Sequence, residues 1–497
     1  MPVSLERKKA IVRVLIELLI AFSLSFLISL LSSDSISPIF GSFHGDTFSQ
    51  DGSLFIYEAK AILAGKRPYL DVYDHKGLYH LGIDMLGLLI SESYGIFILE
   101  IVFGGISLFL LLETLGKMEL SWLEKAVAVG FFSTLRLLIG GGNTIGIWLL
   151  PFATAYLYFY VRALKEEKEG YLYVGSIFIG VELALALNSR PLDAIYAYGG
   201  MIWLFVTSLK EHKMKLFWKN VVVAFLFFLL VCDIFVIVAI SGGYFPEMFK
   251  ATFLENFIYI GRVKDFPLDQ VFFRIGSAAL IALAFLFERL EKKWDAASSF
   301  KNFLFIVALS VFVPWVFLGR YLSYILCGLS FASLWIVFFV HSIPKEKPAF
   351  IAKVSLGSIF LLGVILLGSL TPVLYYTTGV WGFEYSTNAQ DEKALLETIP
   401  QEDRDGEKVF AIDCSCSVYL TLDVVSEERF YANQSWWALD NEEVIPEVIT
   451  FIETKEPKWL IISKEEASKK NFEEALSHYD LASDKAARFD IYRHKGN

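Results

Sequence analysis

Four cysteines in 497 residues are too few for a disulfide scaffold, and their spacing does not resemble a zinc site. Cys232 and Cys327 fall inside apolar runs, where cysteine is an ordinary core residue. Cys414 and Cys416 form a C-x-C on a predicted strand, which puts both thiols on one face. A disulfide between them would require a tail outside the cell. Charge is also scarce, at 20% of residues against 55% apolar, with 45 phenylalanines. A soluble chain of this length needs far more polar surface, so the composition points to a polytopic membrane protein. No basic patch suggests nucleic acid as a partner. Gly140-Gly-Gly142 lacks the lysine and hydroxyl spacing of a phosphate-cradling loop and reads as a kink or turn. There is no internal repeat and no low-complexity tract.

What the chain has in abundance is apolar spans of helix length. They recur at about 11–32, 78–92, 95–115, 122–139, 144–163, 171–187, 191–208, 218–241, 270–288, 302–318, 320–342 and 349–370. A helix satisfies its own backbone amides, which is why such spans cross a bilayer. Arg7, Lys8 and Lys9 precede the first, but Val14 to Leu31 is too long for a signal core and no small-residue cleavage site follows. It reads as a retained first transmembrane helix starting in the cytoplasm. Basic clusters at Arg7–Arg13, Arg162–Lys168, Lys210–Lys219, Arg289–Lys293 and Lys345–Lys347 belong inside. Loops 33–77, 188–191, 242–270 and 319–320 then face outward, and so does the tail. The spans between 78 and 139 break the alternation, so the short 78–92 or a split 122–139 must be half-crossing or double. The expected fold is an all-α polytopic membrane body of about 12–13 transmembrane helices with a small extracytoplasmic α/β domain at the C-terminus.

The composition changes near residue 378. Before it the chain carries 29 acidic and 31 basic residues; from there on, 25 and 13. The body, 1–377, is near neutral and the tail, 378–497, is acidic. Gly382 to Asn388 reads as a linker. Helices are expected at Asp391–Thr398, Glu442–Glu453 and Glu465–His478. Strands are expected at Lys408–Asp413, near Arg429–Tyr431, at Trp459–Ser463 and at Asp490–His494. Trp436 and Trp437 suit either stacking on a sugar or core packing.

The densest polar chemistry lies in the first outer loop, with Asp51, Glu58, Asp71 and Asp74 beside Lys60, Lys66, Arg67 and Lys76. Leu54, Tyr57, Ala61, Leu63 and Ala64 mark an amphipathic helix there. Phe249, Phe253, Phe257 and Ile260 mark another in the second long outer loop, 242–270. Each suits a helix in the headgroup layer or one packed on the protein's own surface. Asp51 opens the first helix, where an aspartate can cap free amides or act as a base on an acceptor hydroxyl. Gly65 and Pro68 stop the helix. Lys76, at the mouth of the next span, can snorkel or bind a lipid phosphate. His44 and Asp46 precede the motif as supporting candidates.

The pattern Asp51-Gly-Ser-Leu-Phe-Ile-Tyr57, Ile62-Leu-Ala-Gly65 and Pro68-Tyr69-x-Asp71-x-x-Asp74-x-Lys76-Gly77 resembles the first extracytoplasmic loop of GT-C glycosyltransferases. The resemblance is to their polyprenyl-phosphate-sugar branch, which includes protein O-mannosyltransferases, the lipid A aminoarabinose transferase and bacterial cell-surface polysaccharide transferases. It implies an integral membrane enzyme moving a monosaccharide from a polyprenyl-phosphate donor to an extracytoplasmic glycan, lipid or protein acceptor, with inversion. Asp51 matches the acidic position implicated as catalytic base or acceptor-positioning residue, and Lys76 the lysine near the sugar–phosphate. Tyr57, Tyr69, Asp71 and Asp74 fall on the substrate side of the motif. Arg190, in Asn188-Ser-Arg190-Pro191-Leu-Asp193, and Arg320 with Tyr321 match outward cations that grip the lipid phosphate; each is otherwise an interfacial anchor. Gly52 stands where relatives often carry a second acid, so no metal or other cofactor is expected, with a divalent cation left open. Leu78 replaces a common proline.

Glu17, Asp84, Glu100, Glu182 and Asp233 lie inside apolar spans, where a carboxylate faces a cavity or a partner. They also suit a transporter or flippase for a lipid-linked sugar, although inverted repeats are not visible. A non-catalytic membrane-anchored binding protein is the remaining alternative, and it leaves the Asp51–Lys76 cluster unexplained.

Overall fold

The computed structural model describes residues 5–32, 50–118, 120–139, 143, 145–255, several positions between 328 and 337, 382–431, 444–465 and 470–496. The expected spans at 270–288, 302–318 and 349–370 lie outside the described residues, as does almost all of 320–342. Among the described residues, five helices are long and apolar enough to cross a membrane: Arg7–Leu30, Gly95–Lys117, Ile145–Glu166, Gly170–Leu187 and Met214–Ser241. The chain is thus an integral, multi-pass membrane protein.

The described elements group into two units. The first holds α1 (Leu5–Ser32), most of α4 (Gly95–Lys117), α5 (Trp122–Ile139), α6 (Ile145–Glu166), α7 (Gly170–Leu187), α8 (Ile195–Lys210) and α9 (Met214–Ser241) as far as Phe235. α5 begins on a capping box: Ser121 Oγ and Glu124 Oε2 each accept a hydrogen bond from the other's backbone amide. α6 and α7 form a tight hairpin in which Phe159 stacks on Phe178 at 5.7 Å. α1 joins α4 and α5 through polar contacts inside the bundle. Arg136 is fully buried and donates to Ser25 Oγ at 3.0 Å, Ser29 Oγ at 2.8 Å and the Glu100 carbonyl at 3.2 Å. A buried guanidinium survives among apolar helices only with such partners. Leu19, Trp218, Phe225, Leu230 and Ile234 are exposed on α1 and α9, as lipid-facing helices require.

The second unit contains α2 (Gln50–Leu63), α3 (Leu78–Ile90), the end of α9, a short helix α10 (Phe245–Phe249) and the C-terminal elements. α3 is 13 residues long, about 20 Å at 1.5 Å per residue, which is short of the roughly 30 Å hydrocarbon core. α10 passes directly into a π-helical turn, Lys250–Glu255, so the expected regular helix over 249–260 is wider-wound where it is described.

The C-terminal part comprises α11 (Gly382–Thr398), β1 (Val409–Ile412), α12 (Ser417–Leu422), α13 (Val444–Lys455), β2 (Trp459–Ser463), α14 (Glu473–Leu476), β3 (Tyr479–Ser483) and β4 (Phe489–His494). The sheet runs β1-β2-β4-β3, with β1 and β2 parallel and the other pairs antiparallel. Parallel pairing buries both faces, which explains why Val409–Ile412 and Trp459–Ser463 are continuous apolar runs.

Several expectations need correction. Gly382 to Asn388 is helical rather than a linker, being the first part of α11. Arg429–Tyr431 is not a strand; the Arg429 carbonyl instead accepts from the Tyr73 amide at 3.0 Å. Cys414 and Cys416 lie beyond the end of β1, buried and unbridged, so neither a strand nor a disulfide is formed there. Within the helix expected over Glu465–His478, the described residues break at Phe472, and β3 follows immediately where no strand was expected.

Candidate active site

α2 lies in the segment between the first two apolar spans, and it is buried on nearly every side. Leu54, Phe55, Ile56, Tyr57, Glu58, Ala59 and Ala61 are all buried. Leu54, Phe55, Tyr57 and Ala61 share one apolar core with Leu395, Val409, Tyr419, Tyr431 and Ile461 of the C-terminal part. Of the two settings open to this amphipathic helix, packing on the protein is the one realised. Polar contacts add to that core. Ser426 donates its amide to the Tyr57 hydroxyl at 2.8 Å, Ser53 and Ser415 share a hydrogen bond at 2.9 Å, and Lys66 pairs with Glu427 at 2.9 Å. Lys60 also pairs with Asp423.

The helix ends in a Schellman motif. Lys66 donates its amide to the Ala61 carbonyl at 3.1 Å and Gly65 to that of Ile62 at 3.0 Å. Gly65 has φ +100°, a conformation that only glycine adopts without strain. The chain then closes a compact turn. Arg67 grips Asp71 in a two-pronged ion pair at 2.9 and 3.0 Å, which holds the Asp71 carboxyl below the usual carboxylate range. Tyr69 sits at φ +65°, a strained position for a bulky residue. Its amide donates to Val72 and its hydroxyl to the Lys76 carbonyl at 2.8 Å, so the strain is held from both sides.

This turn presents Asp74, His75 and Lys76. Asp74 is buried, and its Oδ1 accepts from the His75 amide at 2.7 Å and faces His75 Nδ1 at 3.0 Å. His75 Nε2 lies 2.7 Å from Lys76 Nζ. An ammonium only donates, so Nε2 accepts and the ring proton is assigned to Nδ1, against Asp74. Burial alone would raise the Asp74 carboxyl; the Lys76 charge and His75 outweigh it and hold it well below its ordinary range. Lys76 also lies over the Phe55 ring at 5.8 Å. Behind this cluster, His80 Nε2 and Asp84 Oδ2 are 3.1 Å apart on one face of α3, both fully buried.

Glu58 completes the cluster. It is 1% exposed, and Tyr431 donates its hydroxyl hydrogen to Oε1. Burial, then the like charge of Asp74, raises its carboxyl well above the ordinary value. Glu58 carries no sequence mark that separates it from a solvated helix charge, and Tyr431 lies 373 positions away.

Of the remaining candidates, Asp51 occupies the first turn of α2, one residue inside its start. Tyr57 and Tyr69 are 1% exposed, so in this structure both serve the packing of the loop. In the first unit, Arg190 is tied to the buried Asp193 at 2.7 and 3.0 Å. Beside them an apolar groove of about 330 Å³ is lined by Leu183, Leu187, Pro191, Tyr198 and Phe225, among others. Arg320, Tyr321, His44, Asp46, Trp436 and Trp437 lie outside the described residues. Among the described residues, no group of three or more His, Cys, Asp or Glu side chains could hold a metal ion.

No known protein-family profile and no curated protein sequence matches this chain. Solved structures do. ArnT from Cupriavidus metallidurans bound to undecaprenyl phosphate superposes with a TM-score of 0.57 over 96% of this chain and 97% of its own, at 12% identity. The apo form of the same protein gives 0.53 over 97% and 98%, also at 12% identity. The chain therefore shares the fold of these two ArnT structures.

Proposed function

We infer that the protein is a membrane glycosyltransferase that moves a monosaccharide from a polyprenyl-phosphate donor to an extracytoplasmic acceptor, with inversion. The observation that carries this reading is the Asp74–His75–Lys76 relay at the start of α3, in a fold shared end to end with a protein crystallised with undecaprenyl phosphate. A lysine held in one place by a buried carboxylate and a histidine suits a fixed cation for a phosphate group. In the proposed reaction Asp51 accepts the proton of the acceptor hydroxyl. The oxygen attacks the anomeric carbon, the carbon–oxygen bond to the phosphate breaks, and the lipid phosphate leaves toward Lys76. Asp71 and Tyr69 hold the turn that presents Asp74 and Lys76, and Tyr57 docks α2. The groove beside Arg190 has the apolar lining that an isoprenoid chain needs. Active site and C-terminal domain are extracytoplasmic in this reading, and a divalent cation is left open.

Transport of a lipid-linked sugar is a second reading, favoured by Glu182. It is fully buried inside α7, and neither carboxyl oxygen has a hydrogen-bond partner among the described residues. One assay separates the two. Membranes containing the protein are incubated with radiolabelled undecaprenyl-phosphate sugars and a crude envelope acceptor. Label moving from lipid to acceptor is the expected result. Label that stays on the lipid but crosses the bilayer overturns the transferase reading in favour of transport.

A further inference from the structure

The membrane-spanning helix α9 stops in a Schellman motif. Tyr244 donates its amide to the Ala239 carbonyl at 3.0 Å and Gly243 to that of Ile240 at 3.1 Å, with Gly243 at φ +72°. α10 begins at Phe245, so the segment 245–255 follows directly on the end of a lipid-facing helix. Ile237 and Ile240, near that end, are exposed like the rest of its lipid-facing side. The segment is apolar on two faces. Met248 and Ala251 are buried against the protein, whereas Phe249 and Leu254 are 46% and 51% exposed. The π-helical winding sets residues five apart on one side, which puts Phe249 with Leu254 and Lys250 with Glu255. The charges of that second pair are 4.0 Å apart, and the Phe249 and Phe253 rings stack at 5.2 Å. An outward face of phenylalanine and leucine with a half-exposed lysine beside it fits the boundary between phospholipid headgroups and acyl chains.

The same segment is fastened at both ends to the turn that presents Asp74, His75 and Lys76. At its start the Tyr244 ring lies 6.0 Å from that of Tyr69. At its end Glu255 accepts a hydrogen bond from the Tyr73 hydroxyl. Tyr73 also meets the Phe430 ring at 5.1 Å and donates its amide to the Arg429 carbonyl. One side chain thus joins the turn, the segment after α9 and the C-terminal part. We propose that the segment 245–255 is a membrane-interface anchor, with Phe249 and Leu254 bedded in the phospholipid headgroup layer. Tyr73, through Glu255, is the positioning residue that holds the Asp74–His75–Lys76 turn to that anchor. A lysine held in this way stays at one depth relative to the layer in which a lipid phosphate lies. The effect on the donor rests on the transferase reading; the anchor and its link to the turn do not.

The test has two arms. In the first, the full chain is reconstituted in vesicles of phosphatidylcholine and phosphatidylglycerol and spin-labelled at Leu254→Cys, with wild type labelled in parallel as background. The label should collide more with oxygen than with a water-soluble nickel chelate, at a depth of about 5–10 Å into the headgroup and acyl boundary. A label that meets the chelate more than oxygen overturns the anchor, as does one shielded from both, which would mean that protein covers this face. In Tyr73→Phe, which keeps the ring on Phe430 and deletes the hydroxyl, the label should become more mobile. Unchanged mobility overturns the link. In the second arm, KM for an undecaprenyl-phosphate sugar should rise about tenfold in Tyr73→Phe, with kcat changing less, because a hydrogen bond to a charged group is lost. Glu255→Ala should give the same rise, and Glu255→Gln, which keeps an acceptor for the hydroxyl, should recover most of the wild-type KM. A fall in kcat with KM unchanged overturns the positioning role. Lack of transfer by wild type refutes the transferase reading alone, while depth and mobility still decide the anchor and its link.

Discussion

Tyr431 donates its hydroxyl hydrogen to Glu58, a residue 373 positions earlier in the chain. The bond ties α2 to the C-terminal part of the same unit. Around it, the Tyr57 ring packs against those of Tyr419 and Tyr431 at 5.0 and 4.6 Å. The acidic tail is thus part of what gives the loop its shape, because a segment with this much strain and buried charge needs a partner to define it.

Tyr431→Phe keeps the ring and deletes the donor. It leaves Glu58 Oε1 buried without its hydrogen bond, at a cost of about 1–3 kcal/mol. The thermal midpoint of the purified protein in detergent should fall accordingly. A midpoint equal to wild type would mean that the hydroxyl contributes nothing to holding the loop.

α3 and α4 meet at a point where there is no room for a side chain. A Cβ at Gly95 would lie 1.7 Å from the Gly87 carbonyl oxygen, which is backbone and cannot swing away. Gly95→Ala should therefore destabilise by about 1–3 kcal/mol, the usual range for overpacking. Unfolding in denaturant would measure this, with an uncrowded control such as Gly116→Ala, whose Cβ meets nothing within 4 Å.

Asp74 should give the protein an acid-sensitive component. Its carboxyl is depressed in the folded state, so its contribution is fully present above the ordinary carboxylate pKa and is lost as pH falls through the depressed value. Glu58 acts in the opposite sense. Its raised carboxyl contributes stability below the ordinary value, and this is lost as pH rises through the raised one. Midpoints measured from acid to neutral pH should fall more steeply in acid for wild type than for Asp74→Asn. Parallel curves would contradict the assignment of a charged Asp74.

Much of this arrangement is legible in the sequence, and the part that is not has physical causes. Gly65 and Pro68 announce the end of α2 because a C-terminal cap needs a left-handed residue, and β1 and β2 are marked by unbroken apolar runs. Tyr69 gives no such signal: its left-handed backbone comes from hydrogen bonds to Val72 and Lys76 that form only once the turn has closed. Gly382–Asn388 has a linker's composition, yet continues as a helix with the apolar turns that follow it. Phe430 and Tyr431 have strand-forming side chains, but the adjacent Arg429 carbonyl is taken by Tyr73 of the turn after α2. The pairing of Glu58 with Tyr431 depends on tertiary contact across most of the chain, which local pattern does not encode.

The orientation of the tail can be read directly. Lys393 is exposed on α11, with 73% of its side chain accessible. Lys393→Cys should react with a membrane-impermeant maleimide in intact cells, against a wild-type background whose Cys414 and Cys416 are buried. Protection until the cells are lysed would put the tail inside and reverse the topology.

The central claim is that this loop transfers sugar, with Asp51 as the base. Asp51→Asn keeps the size and polarity of the side chain and removes the negative charge. Sugar transfer from a radiolabelled polyprenyl-phosphate donor should fall by about 100-fold or more, the range typical of a lost general base, at equal expression and thermal midpoint. Undiminished transfer by the variant would contradict the account.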